Sequence, residues 1–200
     1  MATRDRVLAA AVDSFGRAGY EATSLDALAG ELGVTKQTIL YYFPTKEKLL
    51  EEVVTSGARE LTEALDGAIE GNGTAWERVE AVVRTVFRLA VRRPELLGLL
   101  REVSRLGPPA ATWLTNELEP QVERAVGFLE GEMAAGRIRS SDARLLLVSA
   151  YSTVIGVATE VEVLRAVGIE PTLRSTVQRR RELLSFLRSA LMVDEGETRA

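Results

Sequence analysis

A chain of 200 residues, 46% apolar and 27% charged, has the makeup of a folded globular protein with room for one domain or a small module joined to a larger one. It holds no cysteine and no histidine, which excludes disulfides and thiolate metal sites and removes the commonest general base, so no catalytic residue, metal site or cofactor is expected. The net charge of −4 argues against a strongly cationic nucleic-acid binder, yet residues 1–50 are balanced, and within 34–48 Lys36, Lys46 and Lys48 face Glu47 alone, a local patch sufficient for phosphate contact of modest strength.

The apolar stretch 7–12 ends at Asp13 and is too short for a signal peptide. The longest uncharged run, 145–159, falls short of the roughly 18–20 residues that span a bilayer. A cytoplasmic chain with no membrane partner is expected.

Apolar positions recur at helical spacing throughout, and no segment alternates as a strand does, so the expected fold class is all-α. Thr3 is placed to cap a first helix whose Val7, Leu8, Ala11 and Phe15 share one face, and Gly19 ends it. Ser24 caps a short second helix with Asp26 in its first turn, and Gly33 stops it. Thr35 caps a third over 36–43, closed by Pro44. A long helix then starts near Thr45 and is broken by the stretch 71–74. Helical segments follow over 75–93, 94–106, 108–135, 140–167 and 171–193, with Pro120 expected to kink or split the third of them.

Residues 23–50 carry the informative pattern. Two short capped helices joined by a glycine turn, with the small Ala29 where they cross, make a helix-turn-helix. Val34, Ile39 and Tyr42 are expected to pack the second of these helices on the first. Lys36, Gln37, Thr38 and Tyr41 then face outward, toward a major groove.

The run FGRAGYEATSLDALAGELGVTKQTILYYFPTKEKLL resembles the N-terminal region of TetR-type transcriptional regulators, over roughly the first fifty residues. The resemblance implies a three-helix helix-turn-helix domain over 1–47, a helical ligand-binding and dimerisation domain over 48–194, and a flexible tail over 195–200. It implies phosphate contacts from Thr23 and Ser24, phosphate or groove contacts from Thr35, Tyr41 and Tyr42, and a phosphate contact from Lys46. Lys36, Gln37 and Thr38 become the expected base readers. Leu40 stands where the family usually has a tyrosine, which removes that contact or replaces it by apolar contact with a thymine methyl.

Farther on, segment 140–167 is apolar nearly all round and is expected to be buried on more than one side. Residues 171–193 place Leu173, Val177, Leu184, Leu187 and Leu191 at heptad-like spacing, widened by Leu183, Phe186 and Ala190. The resemblance assigns both segments to a homodimer interface, the alternative being a core formed wholly within one chain. Arg179, Arg180 and Arg181 are expected to be solvated or paired with acids such as Glu160, Glu162 or Glu182. Ser149, Thr153, Gly156 and Glu160 form a small or polar stripe that either faces a ligand or lets helices approach. Phe87, Arg101, Trp113, Glu117, Phe128 and Tyr151 lie on segments that line the family's ligand cavity and are the candidate effector contacts.

The expected function is therefore a ligand-responsive regulator, a repressor that binds palindromic double-stranded operator DNA as a dimer and is released by a small, largely apolar effector. The alternative is an apolar-ligand carrier or a protein-interaction module without specific DNA binding.

Overall fold

The computed structural model describes residues 2–69 and 73–193; residues 71–72 of the break expected at 71–74 and the tail expected at 195–200 lie outside the described residues. Among the described residues there are ten helices: α1 (Thr3–Ala18), α2 (Leu25–Leu32), α3 (Lys36–Tyr42), α4 (Lys46–Ile69), α5 (Ala75–Arg92), α6 (Pro94–Leu106), α7 (Ala110–Ala134), α8 (Ala143–Thr159), α9 (Val161–Ala166) and α10 (Leu173–Leu191). No β-ladder is present among them beyond one isolated bridge, Ile138 to Met192. The fold is all-α.

The chain divides by packing into two units, one of Met1–Glu63 with Arg92–Pro120 and one of Ala64–Val91 with Gln121–Ala200. Each has its own core. The first gathers Val7, Ala11 and Phe15 of α1, Leu28 and Ala29 of α2, Ile39 of α3, Val53 of α4 and Leu99 of α6. The expected apolar face of α1 and the Ala29 crossing are thus in place. Two details differ. Thr3 is the first residue of α1, behind an Ala2 that makes no side-chain cap. Tyr42 is 38% exposed and does not carry the packing of α3. Phe43 carries it instead. The chain leaves the helix there in an extended conformation (φ −133°, ψ 94°), which turns the Phe43 ring into the core beside Ile39.

Within this unit α1 and α6 cross backbone on backbone. A methyl group built on Gly16 would stand 2.0 Å from the Glu95 carbonyl oxygen, and one on Gly98 would stand 2.5 Å from the Gly16 carbonyl oxygen. Only a pair of glycines admits that approach.

In the second unit Val83, Val86 and Phe87 of α5 pack with Val154 of α8 and with Leu183, Leu187 and Leu191 of α10. A smaller cluster joins Val126, Leu129, Ile138 and Ala143. The helix over 110–134 runs through Pro120 without a break.

Segment 140–167 departs from expectation in one respect: it is two helices, because Glu160 leaves helical geometry (φ −81°, ψ 75°) between α8 and α9. Within the single chain Leu145, Val148 and Tyr151 of α8 are 66%, 59% and 62% exposed. On α10, Leu173, Val177 and Phe186 are likewise exposed. These exposed side chains take no part in the buried clusters of the chain, to which α8 and α10 contribute Val154, Leu183, Leu187 and Leu191.

The arginine run needs correction as well. Arg179 is buried, at 8% exposure, and takes no acid as partner among the described residues. Its Nη1 donates to the Val157 carbonyl at the end of α8, and its Nη2 donates to Thr176 Oγ1 at 3.0 Å. A cation on the last carbonyls of a helix meets the negative end of its dipole. Its Nε has no partner among the described residues, and burial pulls its pKa below the ordinary arginine value.

Candidate DNA-binding surface

The helix-turn-helix is built by caps at each corner. Ser24 Oγ accepts from the Ala27 amide at 3.0 Å and starts α2. Gly33 ends it in the left-handed region (φ 65°, ψ 33°), where a side chain is disfavoured. Thr35 Oγ1 accepts from the Thr38 amide at 3.2 Å, and the Thr35 and Thr38 hydroxyls share a further hydrogen bond of 2.9 Å. Thr45 Oγ1 accepts from the Lys48 amide at 3.0 Å and opens α4.

These caps set what α3 shows to solvent. Gln37 is exposed, and Tyr41 is the barest aromatic of the unit at 81% exposure. Tyr41 meets Tyr42 edge to face, with ring centroids 5.1 Å apart. Leu40 is half-buried. Lys36 Nζ is paired with Asp26 at 2.8 Å, which ties a candidate base reader to α2. Thr23 stands apart from the other candidates. It is buried, and its hydroxyl donates to the Gly19 carbonyl at 2.9 Å, so it holds the α1–α2 turn.

Beside this face Lys46 Nζ lies 4.1 Å from the centroid of the Tyr20 ring, and Tyr20 packs edge-on against Phe15. Burial raises the Tyr20 phenol above its ordinary pKa, and the Glu21 and Glu47 carboxylates add to the shift. No role for Tyr20 is expected from the sequence beyond its place in the run that resembles the family. Only the aromatic five residues after Phe15, next to a turn, hinted at one.

The candidate effector contacts fall in separate surroundings. Phe87 is buried in the core of α5, α8 and α10. The Phe128 ring is covered by the Arg78 guanidinium at 4.1 Å, while Tyr151 is exposed on α8. In the first unit Trp113 packs on the core, Glu117 accepts two hydrogen bonds from Arg59 at 3.3 and 3.4 Å, and Arg101 lines an open cleft of about 290 Å³ with Gly16 and Gly98. Of the stripe on α8, the Ser149 and Thr153 hydroxyls donate to carbonyls four residues back, each at 2.8 Å. Gln121, to which the sequence assigns no role, is buried with an amide nitrogen that has no partner among the described residues. A glutamine beside Pro120 in a helix gives no sequence signal of that.

Two capped helices in a tight glycine turn, with an exposed polar and aromatic face and lysines at its edge, define a helix-turn-helix DNA-binding protein. Residues 7–53 match the family model described as bacterial regulatory proteins, tetR family. The chain is 26% identical over 140 residues to the uncharacterized HTH-type transcriptional regulator YhgD of Bacillus subtilis, covering 70% of this chain and 73% of that one. It is 26% identical over 167 residues to the HTH-type transcriptional regulator RutR of Escherichia coli, covering 76% and 72%. In fold it is similar to a transcriptional regulator from Saccharomonospora viridis solved in complex with choline, with a TM-score of 0.78, 20% identity, and 96% and 98% of the two chains covered. Residues 7–53 thus carry the region that the tetR-family model describes, and the curated relatives matched over 70–76% of the chain are HTH-type transcriptional regulators. Among its described residues no helix is long and apolar enough to cross a membrane.

Proposed function

We propose that this regulator is a repressor that reads a palindromic operator as a homodimer and lets go when a small, largely apolar effector binds. The observation that carries the DNA half is the outward face of α3, where Gln37 and Tyr41 stand exposed beside Lys46. Gln37, Lys36 and Thr38 read bases. Ser24, Thr35, Tyr41, Tyr42 and Lys46 contact phosphate or groove walls, and Thr23 supports them from within the turn. Residues 1–47 form the DNA-binding domain, and 48–194 carry the effector and dimer functions.

The dimer half is supported by the apolar side chains left bare on α8 and α10, two helices that pack on each other. Exposed apolar side chains gathered on neighbouring helices suit an interface, and a two-fold interface pairs like with like. That a small molecule binds is supported by the choline complex of the similar Saccharomonospora viridis protein; the largely apolar character follows from the resemblance alone. Phe87, Phe128 and Tyr151 of the second unit and Arg101, Trp113 and Glu117 of the first remain the candidate contacts, each taken within its own unit. The effector acts by binding one dimer arrangement better than another, and α4, which begins beside α3, is the helix that transmits the change.

Two substitutions separate the roles. Lys46→Ala is expected to weaken binding on every duplex alike and to reduce the slope of log affinity against log salt by about one per protomer. Gln37→Ala is expected to leave that slope alone and to relax preference at one base pair, costing about 1–3 kcal/mol on the preferred sequence. Salt titrations of both on preferred and scrambled duplexes check this. A loss at Lys46→Ala confined to one sequence contradicts the phosphate assignment.

A further inference from the structure

The three lysines of the chain, Lys36, Lys46 and Lys48, all lie within residues 36–48, and the structure treats them differently. Lys36 is neutralised by Asp26 and Lys48 by Glu51, each at 2.8 Å. Lys46 makes no such pair among the described residues. Its ammonium lies instead over the Tyr20 ring at 4.1 Å, the distance of a close cation–π contact. The ring is itself fixed. Tyr20 packs against the first unit's core, stands edge-on to Phe15 at 5.4 Å between centroids, and accepts the Thr23 amide on its carbonyl at 3.2 Å.

The two modes of restraint differ in what a phosphate must displace. A carboxylate occupies ammonium donors and cancels the charge, so Asp26 and Glu51 compete with any incoming anion. An aromatic face attracts the cation through its quadrupole, leaves the charge in place, and leaves the outward N–H donors unused. A lysine side chain otherwise loses much rotamer freedom when it grips a ligand, and a fixed ring removes part of that cost before binding.

We infer that Tyr20 is a positioning residue for DNA binding: its ring face holds the Lys46 ammonium, uncancelled, at the edge of the helix-turn-helix, ready for a backbone phosphate. This rests on the proposed DNA-binding role of Lys46 and adds a residue that touches no DNA itself. The ring, not the hydroxyl, does the holding, so Tyr20→Phe preserves the function and Tyr20→Leu removes it.

The full-length chain tests this with two readouts. With lysine carrying carbon-13 at the ε position, three signals appear, and Lys46→Ala assigns one of them. The Lys46 ε-protons are expected upfield of those of Lys36 and Lys48 in the wild type and in Tyr20→Phe, and to lose that ring-current shift in Tyr20→Leu. In parallel, binding to a random-sequence 24-base-pair duplex is titrated against salt. Tyr20→Leu is expected to weaken it about two- to five-fold, Tyr20→Phe to leave it within twofold, and Tyr20→Leu with Lys46→Ala to bind no worse than Lys46→Ala alone. If Tyr20→Leu fails to fold, the ring-current shift in wild type and Tyr20→Phe decides: its absence overturns the inference. A wild type that binds while Tyr20→Leu matches it overturns the inference alone. A wild type that binds no duplex overturns the DNA-binding reading and this inference with it.

Discussion

Alanine at Gly16 is expected to destabilise the protein by at least about 3 kcal/mol, near the upper end of what an inserted methyl group costs in a packed interior. The reason lies in what the new methyl meets. It would stand 2.0 Å from the Glu95 carbonyl oxygen, 2.7 Å from its carbon and 3.0 Å from its Cα, all of them backbone atoms of α6. A flexible side chain moves aside from such a contact, but a helix backbone must shift as a body. Because α6 also buries Leu96, Leu97, Leu99 and Val103, any shift disturbs a filled core. Gly98→Ala meets the Gly16 carbonyl at 2.5 Å and is expected to behave the same way. Gly127→Ala is the control. It is exposed on α7 with nothing within 4 Å of a built methyl, so helix propensity alone applies and stability should rise by up to about 1 kcal/mol. Thermal unfolding of the three variants checks this. At roughly 2–4 °C per kcal/mol for a chain of this size, Gly16→Ala should melt about 6–12 °C low. An unchanged melting temperature would show that α1 and α6 do not cross at this distance.

The second large effect concerns the bare faces of α8 and α10. Leu145→Glu and Phe186→Glu place carboxylates on side chains that are 66% and 60% exposed in the single chain. Little in the protomer depends on them, so its unfolding should change by less than about 0.5 kcal/mol. In the proposed dimer each change occurs twice about the two-fold axis. At roughly 2 kcal/mol for an interface centre on each side, the dimer Kd should rise about a thousandfold. Sedimentation across a concentration series should then show monomer where the wild type shows dimer. Operator affinity should fall with it, because two recognition helices no longer bind together. Variants that stay dimeric at wild-type concentrations would place the interface elsewhere.

Much of the N-terminal unit was legible in the sequence because its signals are local. The caps at Ser24 and Thr35, the turn at Gly33 and the buried face of Val7, Ala11 and Phe15 are each set by residues within one or two turns of each other. What escaped depends on distant partners. Gly16 was quoted as part of a resemblance, but its purpose needs Glu95 and Gly98, some eighty residues on. The Tyr20–Lys46 contact spans a helix-turn-helix, and the Lys36–Asp26 pair was hidden because Asp26 also suits a first helical turn. Arg179 read as surface because charged runs usually are. Its burial follows from the break at Glu160, where the Val157 carbonyl at the end of α8 takes the arginine's hydrogen bond, and no periodicity encodes that. The sequence does not tell which apolar residues of α8 its own chain covers, since an apolar helix looks the same whether its cover comes from its own chain or from a second copy; in the single chain Leu145 and Tyr151 are exposed.

The central claim, a two-fold regulator that reads a palindrome through α3, is tested most directly by selecting bound sequences from a random double-stranded pool with the full-length chain. The account predicts enrichment of an inverted repeat whose half-sites lie about one helical turn apart, roughly 34–36 Å, with affinity falling steeply as salt rises. Recovery of no repeat, with weak binding indifferent to sequence, would contradict it.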